Sequence, residues 1–206
     1  TNGPPNLDET AYRIDYQGLR LLVLNSNEPP ERQTPWIEHQ LKDNPQTWTV
    51  IAFHHPLYSA AVNRDNAVLR KAWKPLFDRY RVDLVLTGHD HAYARSQQLP
   101  AGMLDVAKPE TNVPSGAAAR SDEGGTIYVV SVSGPKMYGA QRQPFMQRVA
   151  EDTQLYQIVH IDGGTLRFES RMATGELYDA FTLKKRVGQV NEVIEQVPAA
   201  PQRLRP

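Results

Sequence analysis

The stretch that decides the fold is VDLVLTGHDH, at positions 82–91. Its first six residues are mostly apolar and β-branched, the pattern of a strand that is buried on both faces. Gly88, His89 and His91 follow at once, so both imidazoles are expected just beyond the end of a strand. We interpret Gly88 as the residue that permits a tight turn at this point.

A second pair of histidines follows another predicted strand. Residues 47–53 form a short apolar strand, and His54 and His55 come directly after it. Between the two strands, residues 66–80 carry their apolar side chains on one helical stripe. Proline disfavours a helix interior, so we expect a kink or two abutting helices at Pro75.

The order strand, helix, strand predicts that the two strands are parallel neighbours joined by a right-handed crossover. Parallel strands end at the same edge of a sheet, and ligands gather beyond their carboxyl ends. We therefore expect His54 to meet His89 and His91 at that edge.

The remaining pattern predicts one α/β domain over residues 1–185. Its further elements are a hairpin, a helix, a late strand and a three-stranded meander, at positions 11–25, 34–44, 126–132 and 153–183. Residues 107–125 combine Pro, Gly, Ser and Ala, which predicts a long surface loop. Residues 186–206 predict a tail that wraps or frays.

Composition limits the classes of function. The 23 basic residues balance 23 acidic residues, so the chain has no basic footprint for nucleic acid. A phosphorylated substrate would then have to be attracted by a local site such as a metal. The sequence has no cysteine, so any metal must be held by nitrogen and oxygen. No apolar run approaches the roughly 20 residues that a membrane-spanning helix needs.

Three histidines are the candidate metal ligands. Imidazole suits ions such as zinc, iron and manganese. His89 and His91 are two residues apart, which suits two adjacent ions better than chelation of one. His54 is a candidate because it is predicted to lie beside them. The alternative is a polar turn that carries surface histidines.

Further residues near these motifs have two open interpretations each. Asp90 either orients a ligand imidazole or caps the turn. His55 either contacts substrate or is hydrogen-bonded to a backbone carbonyl. Arg64 either clamps a phosphate through its planar guanidinium or is solvated. Tyr93 and Arg95 either support the site or pack.

Residues 51–58 (IAFHHPLY) and 82–95 (VDLVLTGHDHAYAR) resemble the calcineurin-like metallophosphoesterases, above all the purple acid phosphatases and their bacterial relatives. They match the last two of the five metal-binding motifs of that family. The resemblance covers roughly residues 11–185. It implies half of a four-layer α/β/β/α sandwich, with mixed sheets and flanking helices. Members of this branch are often exported, which favours a secreted or periplasmic location.

The same resemblance implies a set of site residues. It assigns His54 and His89 to one metal and His91 to the other, the metals being two divalent or trivalent ions such as iron, zinc or manganese. Plant members carry two further histidines nine and ten positions after the residue that corresponds to His54. Asn63 and Arg64 occupy those positions here, so contacts to phosphate are expected to differ.

The first three motifs of the family are absent from the chain. They comprise an Asp near a strand end, a Gly-Asp pair and Gly-Asn-His. Neither Gly-Asp nor Gly-Asn-His occurs in the sequence. The resemblance therefore implies that this chain is the C-terminal half of the domain. The acidic and Asn-His ligands would lie in a missing N-terminal half or on another chain.

The implied function of the complete protein is hydrolysis of phosphate esters by a water whose pKa a metal lowers. We expect this chain alone to have little or no activity. One alternative is a non-catalytic binding or assembly module. A second is a single-metal hydrolase in which His54, His89 and His91 hold one ion.

Overall fold

The computed structural model describes residues 2–7, 9–104 and 124–205. These residues form two β-sheets and two helices, α1 (Thr34–Lys42) and α2 (Ala67–Arg79), arranged in three layers. Neither described helix is long and apolar enough to cross a bilayer.

The strands of the described residues are, in chain order, β1 Tyr12–Tyr16, β2 Leu19–Val23, β3 Trp48–Ala52, β4 Leu84–Thr87, β5 Tyr93–Ser96, β6 Leu99–Pro100, β7 Gly124–Val130, β8 Met146–Ala150, β9 Leu155–Asp162, β10 Thr165–Met172, β11 Leu177–Lys184 and β12 Glu192–Glu195. Most of the predicted loop at 107–125 lies outside the described residues. Its last two residues are not loop, because β7 already begins at Gly124.

The first sheet has eight strands among the described residues, in the order β1-β2-β3-β4-β7-β5-β8, with β6 also paired to β7. Strands β2, β3, β4 and β7 run parallel to one another. The predicted parallel pairing of β3 and β4 around a helix is therefore confirmed. Strands β3, β4 and β7 end at one edge of this sheet, which we call the histidine edge.

The helices cover one face of the first sheet. Helix α2 packs its fully buried Trp73 and Phe77 against Phe53, and the rings of Phe53 and Trp73 meet edge-on at 5.2 Å. Pro75 lies inside a single 13-residue helix, so the prediction of two abutting helices is wrong. The large apolar surface buried on both sides of Pro75 offsets the backbone hydrogen bond that proline cannot make.

The second sheet covers the other face. It is antiparallel, in the order β12-β11-β10-β9, so the predicted meander is confirmed. Trp48 and Ile127 of the first sheet pack with Phe168 and Phe181 of the second in one buried cluster. Helices, sheet and sheet thus supply three of the four predicted layers.

Part of the predicted tail at 186–206 is ordered against the body of the domain. Residues Glu192–Glu195 add strand β12 to the second sheet by pairing with β11. Farther on, the backbone N–H of Arg205 donates to Glu151 at 2.6 Å. The other carboxylate oxygen of Glu151 accepts from the backbone N–H of Ala140, in the loop that follows β7.

A buried polar network joins the two sheets. Arg95 makes two hydrogen bonds to Asp179, of 2.7 and 2.9 Å, and two to Glu195, of 2.8 and 3.1 Å. The hydroxyl of Tyr93 donates to Asp179 at 2.7 Å. Of the two interpretations of Tyr93 and Arg95, these contacts favour packing.

Candidate metal centre

Two histidines from different strand ends touch at the histidine edge. His54 follows β3 and His89 follows β4. His89 Nδ1 lies 3.0 Å from His54 Nε2, and the ring centroids are 4.9 Å apart. The backbone N–H of Gly88 donates to the carbonyl of His54 at 3.0 Å, which fixes one turn against the other.

The turn that carries His89 has an unusual backbone. His89 and His91 adopt positive φ angles of 69° and 51°, in the left-handed region. Gly88 is not among the glycines with positive φ, so the tight turn does not use it as its left-handed residue. Residues with a side chain lose roughly 1–2 kcal/mol in the left-handed region, and such strain is concentrated at functional sites.

His55 is the third imidazole at this point. Its ring centroid lies 4.8 Å from that of His54 and 4.3 Å from that of His89. One ligand atom from each of the three rings fits within a mutual spacing of 4.8 Å. Ser26 fixes His55 from two sides, because its Oγ accepts from the backbone N–H and lies 2.9 Å from Nδ1. His55 is therefore held by a hydroxyl group, not by the expected backbone carbonyl.

Two of these imidazoles, those of His55 and His89, have lowered pKa values. Burial and the neighbouring His54 lower the pKa of His55, although its Ser26 hydrogen bond acts in the opposite direction. Burial, then the charges of His55, Arg64 and His54, lowers the pKa of His89. Lowered pKa values favour the neutral imidazole, which is the form that binds a metal.

His91 lies outside this three-ring cluster in the part of the chain that the structure describes. Its Nδ1 is 2.8 Å from the carbonyl oxygen of Lys136, and its ring centroid is 4.7 Å from that of Tyr138. A ring N–H that donates to a backbone carbonyl is the usual support of a metal-bound imidazole. With Nδ1 engaged in this way, Nε2 is the nitrogen of His91 that could hold a metal.

Asp90 is fully buried beneath the histidine edge. Its Oδ2 accepts hydrogen bonds of 2.7 Å from both the Ser59 hydroxyl and the Ala60 backbone N–H. These contacts hold the turn after His54, which favours the capping interpretation over orientation of an imidazole. Among the described residues, Oδ1 of Asp90 has no hydrogen-bond partner, and the guanidinium of Arg64 is 4.0 Å away.

Arg64 reaches the histidine edge from the loop after β3. Its Nη1 lies 3.4 Å from the carbonyl oxygen of His89, and its guanidinium sits 5.0 Å from the centre of the Tyr138 ring. Asn63 precedes it with a positive φ of 59°. This left-handed residue turns the chain directly before Arg64.

Sequence reasoning missed Lys136 and Tyr138. The Lys136 ammonium is 5.2 Å from the centre of the Tyr138 ring, on which Arg64 also packs. The hydrogen bond with Lys136, followed by the charges of Lys136 and Arg64, lowers the pKa of the half-buried Tyr138 phenol. A usable signal existed, because both residues follow β7, the third parallel strand that ends at this edge.

Comparison with known proteins shows which proteins this chain resembles. The sequence profile of the calcineurin-like phosphoesterases matches residues 5–93. An uncharacterized protein of Mycobacterium tuberculosis is 36% identical over 108 residues, which are 48% of this chain and 20% of that protein. The Fe(3+)-Zn(2+) purple acid phosphatase 12 of Arabidopsis thaliana is 31% identical over 137 residues, which are 62% of this chain and 28% of the relative.

A solved structure shows the same fold. A purple acid phosphatase from seeds of yellow lupin (Lupinus luteus) superposes on 96% of this chain, with a TM-score of 0.66 and 18% sequence identity. The chain covers 37% of that structure.

The fold and the matched motifs define a phosphoesterase-type α/β chain with histidines at one sheet edge. Residues 5–93 are similar to the calcineurin-like phosphoesterases, and the homologues of the chain include purple acid phosphatases. The matched region spans between a fifth and three tenths of the length of the curated relatives quoted above.

Proposed function

We propose that the complete protein hydrolyses phosphate esters with the help of two metal ions, and that this chain contributes histidine ligands to them. The observation that carries this proposal is the contact between His54 and His89, 3.0 Å apart, which come from two different strand ends. Its chemical class follows from the phosphoesterase profile over residues 5–93.

The donor set fits a metal but does not complete a pair of ions. The cluster that the described residues form contains imidazoles only, from His54, His55 and His89. Asp90, the nearest buried carboxylate, is used by Ser59 and Ala60. Imidazole suits zinc, iron and manganese. We infer that acidic ligands lie outside this chain, in a segment that carries the Asp and Asn-His motifs.

Each residue then has a distinct role. His54 and His89 bind one ion, and His91 binds the other through Nε2. The bound ions would supply a water of lowered pKa and positive charge that stabilises the in-line transition state. In this proposal the Ser26 hydroxyl, which accepts from the His55 backbone N–H, donates its own proton to His55 Nδ1. His55 Nε2–H is then a donor for a phosphoryl oxygen, and Arg64 supports it from the adjacent loop, with Asn63 beside it.

The test uses a protein that joins this chain to a segment carrying the acidic motifs. Loaded with iron, zinc or manganese, it is expected to hydrolyse p-nitrophenyl phosphate, and His89→Ala is expected to lose turnover by at least about a hundredfold. His39→Ala is the matched control, because His39 is an exposed residue of α1. Turnover that survives both His54→Ala and His89→Ala would contradict the proposal. Stable binding of a partner protein without any turnover would favour the non-catalytic module.

The chain alone is expected to show little or no turnover, since it lacks the acidic ligands. Robust p-nitrophenyl phosphate hydrolysis by residues 1–206, lost in His89→Ala, would overturn this expectation.

A single-metal site has one observation in its favour, with His55 in place of the expected His91. His54, His55 and His89 bring three imidazole nitrogens within 4.8 Å, which is enough for one tetrahedral ion with an open position. In this case His55 would turn its proton toward Ser26 and ligate through Nε2. Metal titration of the isolated chain separates the two proposals. Loss of binding in His55→Ala, with His91→Ala unaffected, would favour the single ion, and the reverse result would favour the two-ion site.

A further inference from the structure

The tail that follows β12 is docked beside β8 by a series of hydrogen bonds. The carbonyl of Arg203 accepts from the backbone N–H of Glu151 at 2.7 Å, and the Arg203 N–H donates to the Tyr178 hydroxyl at 3.2 Å. Arg148 donates to the carbonyl of Ala200 at 2.8 Å. The end of the described chain therefore has a fixed place on the body of the domain.

The carboxylate of Glu151 joins this tail to the loop after β7. Glu151 is buried, and one of its oxygens accepts from the backbone N–H of Arg205 at 2.6 Å. The other oxygen accepts from the backbone N–H of Ala140 in that loop. The guanidinium of Arg205 lies 3.9 Å from Glu151 and makes its short ion pair, of 2.6 Å, with the exposed Asp152.

This arrangement couples two segments that are far apart in the sequence. A buried carboxylate needs hydrogen-bond donors, because water no longer compensates its charge. If the tail leaves, Glu151 loses the donor of Arg205, and the carboxylate can then turn away from Ala140. Docking of the tail and docking of the loop therefore each favour the other.

The loop that Glu151 holds also contacts the segment after β3. Ala140 forms an isolated antiparallel bridge with Ala61, and the N–H of Gln141 donates to the carbonyl of Ala60 at 2.7 Å. The N–H of Ala60 in turn donates to Asp90 at 2.7 Å, within the turn that carries the histidines. The attachment point at Ala140 thus lies one contact away from the histidine edge.

The same loop holds His91 at two points. The backbone N–H of Tyr138 donates to the carbonyl of His91 at 3.1 Å, and the carbonyl of Lys136 lies 2.8 Å from His91 Nδ1. One contact fixes the backbone of His91 and the other fixes its ring. Ala140 is two residues after Tyr138, so a displacement of Ala140 is expected to disturb both contacts.

We propose that Glu151 is a positioning residue, through which the docked C-terminal tail orients His91 with its Nδ1–H on the carbonyl of Lys136. The inference rests on the proposed function only for the role of His91 as a metal ligand. Glu151 acts through Ala140 and touches neither metal nor substrate. The tail after β12 is thereby part of the support of the site.

The experiment breaks the bridge at Glu151 from either side. Glu151→Gln keeps the shape of the side chain but has one acceptor oxygen, so it cannot serve both N–H groups. Arg205→Pro removes the N–H on the tail side. Arg205→Ala keeps that N–H and loses only the guanidinium, so it is the matched control. Glu176→Gln, in the exposed turn between β10 and β11, controls for the loss of a carboxylate.

The readout is the tautomer of His91, observed by ¹⁵N NMR of the imidazole in the metal-free chain of residues 1–206 at pH 8. The parent is expected to carry its proton mainly on Nδ1. In Glu151→Gln and in Arg205→Pro the population of the Nε2–H tautomer is expected to rise about fivefold, because the hydrogen bond to Lys136 is weakened. Both controls should keep the parent ratio. A loss of stability alone would leave the spectrum of the folded chain unchanged.

Two results would overturn the inference. One is the parent tautomer ratio in Arg205→Pro, and the other is an equal change in Arg205→Ala. If Glu151→Gln does not fold, Arg205→Pro carries the test, since Arg205 is exposed at the end of the chain. Because no metal is present, these results do not bear on hydrolysis, which depends on His54 and His89.

Discussion

The polar network between the sheets and the polar cluster at the histidine edge show opposite designs. Arg95 and Asp179 are both fully buried, and each charged oxygen of Asp179 is matched by a donor from Arg95. At the edge, the rings of His54 and His89 meet edge-on with two ring nitrogens 3.0 Å apart, and Oδ1 of Asp90 has no hydrogen-bond partner among the described residues. The first cluster compensates its own charges and so serves stability. The second leaves ring nitrogens and a carboxylate oxygen that a ligand could engage.

The sharpest way to break this comparison is to remove Arg95. Arg95→Met leaves Asp179 charged and buried without its partner, so we expect the free energy of unfolding to fall by about 3–5 kcal/mol. Urea denaturation monitored by circular dichroism measures it. Arg79→Met is the control, since Arg79 pairs with Glu38 at the surface and its loss should change stability by less than about 1 kcal/mol. Equal effects of the two variants would show that the buried network has no special weight.

Metal that binds at the histidine edge should stabilise the folded chain. Zinc at a hundred times its dissociation constant is expected to raise the free energy of unfolding by about 2.7 kcal/mol. In His89→Ala this gain should vanish at the same zinc concentration, while stability without metal changes little. Thermal unfolding with and without a chelator measures both quantities. A zinc effect that persists in His89→Ala would place the metal elsewhere.

Two variants of Asp90 test whether its carboxylate acts as a hydrogen-bond acceptor for the turn or through its charge. Asp90→Ala leaves the Ser59 hydroxyl and the Ala60 N–H without their acceptor, so we expect a loss of about 1–3 kcal/mol in unfolding free energy. Asp90→Asn keeps one acceptor oxygen for both donors and should recover most of that loss. If the asparagine variant is as unstable as the alanine variant, the carboxylate acts through its charge and not as a cap, and the contact with Arg64 gains importance.

The smallest expected effect is on the pH dependence of the free energy of unfolding, at an ion pair outside both clusters. The hydrogen bond from Arg20 holds the pKa of Asp15 below its ordinary value. The contribution of this pair is therefore present above the unfolded pKa of about 3.9, and it is lost as the pH falls through the lower folded value. Asp15→Asn should be less stable than the parent near neutral pH, by less than about 1 kcal/mol, and the difference should shrink below pH 4. Parallel urea titrations at several pH values measure it.

The sequence predicted the elements whose signals are local. Strands β3 and β4 are short apolar runs, and the helix between them has an apolar stripe, so their parallel pairing and the meeting of His54 with His89 followed from general rules. Partners that are distant in sequence were not predictable. Asp179 lies 84 residues from Arg95, and no local pattern connects them.

The same limit explains the incomplete prediction of the site. Lys136 and Tyr138 belong to a loop whose sequence has no motif character, and only the position of β7 beside β4 brings them to His91. Ser26 reaches His55 from a third loop, 29 residues earlier. A motif identifies residues that are close in sequence, while these contacts depend on the order of strands in the sheet.

The left-handed backbone at His89 and His91 lowers the stability of the fold at the positions of two proposed metal ligands. Glycine would adopt both φ angles without steric cost, so a glycine at either position should make the chain harder to unfold while removing an imidazole. A variant library screened for heat tolerance alone would consequently enrich turns that have lost their histidines. Engineering this protein for robustness therefore requires that metal affinity be scored in the same screen.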